Sequence, residues 1–111
     1  AGTVLIFGGD KEVTVCDSKG DFRVAGVVSS NPAYLMNVKQ EGDYMIPLAL
    51  SGRVPCKVIG SVKKGDMLVT SAVPGYAIVN NNPTIGTVIG KAIENKESDG
   101  KGTIEVVIGR V

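Results

Sequence analysis

The chain has 111 residues, of which 43% are hydrophobic, and a formal net charge of +1 with no histidine and no tryptophan. That length supports one domain rather than two, and that hydrophobic share excludes a disordered segment. Scattered charge, with Lys63-Lys64 as the one adjacent basic pair, and only 5% aromatic residues exclude the basic stripe and the stacking platform of a nucleic-acid binder.

Valine and isoleucine dominate the apolar fraction and favour strands, while 15 glycines and 5 prolines supply turns. Thr3 to Phe7 is a short apolar run, Gly8-Gly9-Asp10 turns the chain, and Glu12 to Cys16 alternates, so these segments predict a hairpin. Asp17 to Asp21 is a second turn. Arg23 to Ser29 predicts a strand in which Gly26 marks a bulge or a close backbone approach. In Ser30-Asn31-Pro32-Ala33-Tyr34-Leu35-Met36, Asn31 suits an N-cap and Pro32 a first helical position, which predicts one helical turn.

Asn37 to Asp43 is polar loop. Tyr44 to Ser51 predicts a strand whose Pro47 places it at an edge or a bulge. Arg53 to Ile59 alternates cleanly, with Val54, Cys56 and Val58 on the inner face and Arg53, Pro55 and Lys57 on the outer. The Lys63-Lys64-Gly65-Asp66 turn needs a positive φ at Gly65 and a tie from Asp66; it leads into a strand over Met67 to Ser71. Pro74-Gly75 turns into Tyr76 to Val79, and Asn80 to Pro83 is loop. Gly86 to Ile93 and Gly102 to Arg110 are the last strands, joined by a charged, mobile tip over Glu94 to Lys101; Ile104, Val106 and Ile108 share a face. About nine short strands at this spacing predict an all-β barrel or sandwich spanning residues 1–111 as a single domain.

Candidate chemistry is sparse. Gly8-Gly9-Asp10-Lys11 lacks the strand-to-helix setting of a phosphate loop and reads as a hairpin turn. Ser29, Ser30, Ser51 and Ser71 lie at strand ends and, without histidine, have no evident activating base. Asp10, Asp17, Asp21, Asp43, Asp66 and Asp99 fall at turns rather than as a facing carboxylate pair. Cys16 and Cys56 read as buried, unbridged thiols in strands; two cysteines and no histidine make no structural zinc site. No apolar run approaches membrane-spanning length. The expectation is therefore no catalytic, cofactor-binding or metal-binding residue, no nucleic-acid partner and no membrane insertion.

Three blocks carry a resemblance. They are Arg23 to Asn37 (RVAGVVSSNPAYLMN), Leu50 to Val58 (LSGRVPCKV) with Lys64 to Ser71 (KGDMLVTS) and Pro74-Gly75, and Gly90-Lys91-Ala92 with Ile104 to Val111 (IEVVIGRV). Together they resemble the C-terminal domain of bacteriophage tail-fibre and tailspike proteins, a domain similar to the intramolecular-chaperone autoprotease domains that end some phage spikes. The resemblance implies a structural and trimerisation module, the C-terminal part of a longer fibre protein. It also implies homotrimeric assembly in the host cytoplasm and residence in the virion tail. The expected partners are two further copies, the rest of the fibre chain, and a polysaccharide or receptor of the host surface. In the family, self-cleavage belongs to an acidic stretch upstream of the region matching Gly2 to Phe7, so no residue of this chain is assigned to it. Two other readings stand beside this one: an autoproteolytic chaperone domain of a phage spike, and a monomeric β-barrel ligand or carrier module. The carriers, which share the turn at Val62 to Leu68, need a modified lysine on an exposed hairpin tip, usually beside methionines, and none is evident here.

Overall fold

The computed structural model describes residues 2–8, 11–29, 34–37, 45–49 and 52–108. These residues are all-β, with no helix among them. Ten short strands follow one another: β1 (Val4–Gly8), β2 (Lys11–Val15), β3 (Val24–Val28), β4 (Tyr34–Asn37), β5 (Met45–Ala49), β6 (Gly52–Ile59), β7 (Met67–Thr70), β8 (Ala77–Val79), β9 (Val88–Ala92) and β10 (Lys101–Ile108). The first five form one antiparallel sheet in the order β2-β1-β3-β5-β4, and the last five close into a barrel in the order β10-β6-β8-β7-β9.

The first sheet opens on the expected hairpin, in which Leu5 faces Val15 and Gly8 faces Lys11. Leu5 pairs with Gly26 but Ile6 pairs with Val24, so β3 carries its extra residue, Ala25, beside Gly26. The bulge foreseen there is present. The sheet also curls, bringing its outer strands β2 and β4 near each other. Leu5, Val13 and Leu48 form a small cluster on one face. Val4, Ile6, Val27 and Ala49 join the main core instead.

Two expectations for this half need correction. The helical turn foreseen across Asn31 to Met36 does not form over its second half, because Tyr34–Asn37 is strand β4. Its four residues pair with Met45–Leu48 of β5, and that ladder supplies partners that a lone helical turn could not. Asn31, Pro32 and Ala33 lie outside the described residues. Pro47 is not on an edge strand either, because β5 lies between β3 and β4. Only Ala49 and Leu48 pair with β3, so Pro47 sits just beyond that short ladder, opposite Leu35 of β4.

In the barrel the period-two pattern holds. Val54, Cys56 and Val58 of β6 meet Val106, Ile104 and Gly102 of β10, and the apolar members are buried. The Lys57 amide donates to the Gly2 carbonyl at 2.8 Å, away from β10. Pro55 has the same parity as Lys57, so its missing N–H falls on that side too and the β6–β10 ladder loses nothing. Gly2 in turn donates to the Val28 carbonyl at 2.8 Å, and the Val28 amide donates to Thr3 at 2.9 Å. The segment before β1 thus joins the sheet to the barrel. The barrel closes through one parallel pair, Val58 with Ala77, between β6 and β8.

The turns follow the sequence. Gly65 has φ +95°, and the Asp66 carboxylate accepts the Lys63 amide at 2.8 Å. The tip from Glu94 to Lys101 is tied down rather than free. Val62 and Lys96 bridge, and the Lys96 ammonium donates to the carbonyls of Gly60, Ser98 and Gly100 at 2.8, 2.8 and 2.5 Å.

Candidate interaction surface

Several of the described groups that could carry chemistry are engaged in structural bonds. The Ser71 hydroxyl donates to the Tyr76 carbonyl at 2.6 Å and accepts the Val73 amide at 3.1 Å, capping the turn before β8. Ser29 is buried, and Ser30 and Ser51 lie outside the described residues, as do Gly9, Asp10 and Asp43. Asp66 accepts Asn81 Nδ2 at 2.9 Å besides the Lys63 amide. Glu105 accepts Arg53 Nε at 3.0 Å on the outer faces of β10 and β6. Among the described residues no group of three or more metal-ligating side chains converges.

Cys16, just after β2, and Cys56, in β6, are buried free thiols in the shared core. Burial pushes Cys56 up to about 12, with a smaller push from Cys16. Burial likewise raises Cys16, against the backbone bonds that favour its thiolate. Both are therefore neutral at pH 7, the opposite of a reactive cysteine. In the unfolded chain a thiol ionises near 8.5. The folded values lie above the unfolded one, so this contribution to stability is complete below about pH 8.5 and is lost as pH rises toward the folded values. We expect the urea-unfolding free energy to fall between pH 8 and pH 10 by on the order of 1–2 kcal/mol through Cys56 alone. A Cys56→Val variant should show a correspondingly shallower decline; identical declines for the two proteins would overturn this.

The distinctive surface lies on the outside of the barrel. On β7, Leu68 joins the core while its neighbour Val69, also buried, belongs to neither core cluster. Val69 pairs with Ile78 of β8 on one side and with Val88 of β9 on the other. Cross-strand partners share a face, so Ile78, Val69 and Val88 form an apolar row across three adjacent strands. A bulge at Ile89 sets this up: Leu68 pairs with Gly90 but Val69 with Val88, which lets Ile89 and Gly90 both turn inward.

Two grooves lie along that row. One, of about 400 Å³, has Val69 and Ile78 in its floor and Lys19, Gly20 and Thr84 on its walls. The other, of about 300 Å³, is bounded by Met67, Pro83, Ile85 and Val88 and meets the first at Thr84. Ile85 stands at the tip of the turn before β9, closed by the Thr87 amide donating to Thr84 at 3.2 Å, and is 97% exposed.

Phe22, 75% exposed, is after Ile85 the most open of the four exposed large apolar side chains among the described residues, ahead of Phe7 at 46% and Val15 at 42%. Its turn is clamped from both sides. The Asp21 amide donates to Thr70 Oγ1 at 2.7 Å, and that hydroxyl donates to the Ser18 carbonyl at 2.6 Å. The Asp21 carboxylate accepts the Arg23 amide at 2.8 Å and the Arg23 guanidinium at 2.9 and 3.1 Å. Those bonds to Arg23 hold the Asp21 carboxyl below its ordinary range despite its burial.

Comparison of the chain with protein-family models, with curated proteins and with solved structures finds no match.

The apolar row was not foreseen from the sequence, although a signal was present. Met67-Leu68-Val69 and Ala77-Ile78-Val79 are continuous apolar runs rather than alternating ones, the pattern of strands covered on both faces.

Proposed function

We propose that the chain is a non-catalytic structural and trimerisation module of a phage tail fibre or spike, with the host surface as a further contact. The observation that supports this reading is the apolar groove bounded by Met67, Pro83, Ile85 and Val88, with Ile85 97% exposed, on the outside of a barrel whose inside is already filled by its own side chains. An outward sheet face in water is ordinarily polar. The sequence resemblance to tail-fibre termini supplies the kind of assembly, a homotrimer in the virion. Light scattering is expected to give three times the chain mass at micromolar concentration. A monomer mass across the micromolar range would sink the reading. A monomer that also carries a small molecule would favour the ligand or carrier module in its place.

A further inference from the structure

We infer that subunits of this assembly dock by a knob-in-groove contact, in which Phe22 of one copy seats in the Met67–Pro83–Ile85–Val88 groove of the next. This rests on the assembly reading above and names the surfaces that carry it.

The knob is preorganised. A turn held by bonds from Asp21 to Thr70 and from Asp21 to Arg23 has little freedom left to lose on binding. Yet the ring it presents is three-quarters exposed, so the chain's own fold makes no use of it. Phenylalanine is among the residues enriched at the cores of interfaces. The groove suits the ring in chemistry and in size. Its lining is almost wholly apolar, and its volume of about 300 Å³ leaves room for a phenyl ring; a buried cavity of about 150 Å³ already takes benzene.

Charge is matched as well. Asp21 and Arg23 on either side of the knob neutralise each other at 2.9 Å, and no ionisable side chain lines the groove. The seat of the ring itself therefore holds no unpaired charge. Knob and groove are different patches of one chain. In a trimer the contact runs head-to-tail, each copy giving its knob to the groove of the next.

Phe22→Asp removes the knob and Ile85→Asp spoils the groove wall. Both positions are exposed, so each variant should keep the circular dichroism of the parent. Each alone is expected to weaken self-association by more than about tenfold, as loss of an interface anchor does. A one-to-one mixture retains one intact knob and one intact groove, and so should form a mixed dimer by light scattering or native mass spectrometry. An oligomer that persists in either variant, or a mixture that stays monomeric, overturns the contact while leaving assembly itself standing. A monomeric parent chain overturns both.

Discussion

Gly90→Ala is expected to abolish the barrel. An added Cβ would lie 2.1 Å from the Val107 carbonyl oxygen and 2.7 Å from the Ile108 Cα. Both obstacles are main chain of β10, which pairs with β9 exactly here, Ile108 opposite Gly90. A flexible side chain could swing away; a paired strand cannot. Relief would require parting β9 from β10 at one of the seams that close the barrel. Overpacking against side chains typically costs about 1–3 kcal/mol. Displacing paired backbone should exceed that range and consume much of the roughly 5–15 kcal/mol that holds a domain together. Gly100→Ala is the matched control, since a Cβ there meets nothing within 4 Å. We expect Gly90→Ala to be insoluble or to unfold at far lower urea, with Gly100→Ala close to the parent. A Gly90→Ala midpoint equal to that of Gly100→Ala would refute the backbone clash.

Val58→Asp should be nearly as severe. Val58 is fully buried in the main core and forms with Ala77 the single parallel pair between β6 and β8. A carboxylate there is either ionised without a partner or forced to take up a proton. Leaving a charge unpaired in the core costs several kcal/mol. Its neighbour Lys57 points the other way. The Lys57 ammonium donates to Thr3 Oγ1 at 2.9 Å and lies 5.9 Å from the centre of the Tyr76 ring. Lys57→Asp loses one hydrogen bond and a weak ring contact, about 1–2 kcal/mol together. Thermal melts should separate the two variants widely. Equal, small losses would show that the faces of β6 are wrongly assigned.

The contrast between these neighbours was legible in the sequence, because β6 alternates without interruption and one of its faces is sealed. The turn at Lys63 to Asp66, the first hairpin and the bulge beside Gly26 were legible for the same reason: each is decided by a few adjacent residues. What failed was decided at a distance. Asn31-Pro32 reads as a helix start to anyone looking only at neighbours, but Tyr34–Asn37 answers to a strand that begins eight residues after it ends. Pro47 signals an edge because proline cannot donate, yet β5 can be flanked on both sides when one flank is only two residues long. The Glu94 to Lys101 tip is charged and so looks loose, until the Lys96 ammonium finds three carbonyls from two separate segments. The candidate surface was hidden for a related reason: Ile78, Val69 and Val88 become neighbours only through the strand order β8-β7-β9 and the bulge at Ile89.

The main core draws Val4, Ile6, Val27 and Ala49 from the curled sheet and the rest of its strand residues from the barrel. Neither half keeps an oily interior of ordinary size once the other is taken away. The two sheets are therefore a poor place to cut and recombine. A graft that exchanges only the barrel, or only the sheet, for that of another protein must rebuild the shared interior, whereas whole-chain transfer carries it intact. Swapping this unit between host proteins is feasible only in one piece, and any inserted sequence belongs in an exposed turn away from the Ile85 groove rather than at the boundary between β5 and β6.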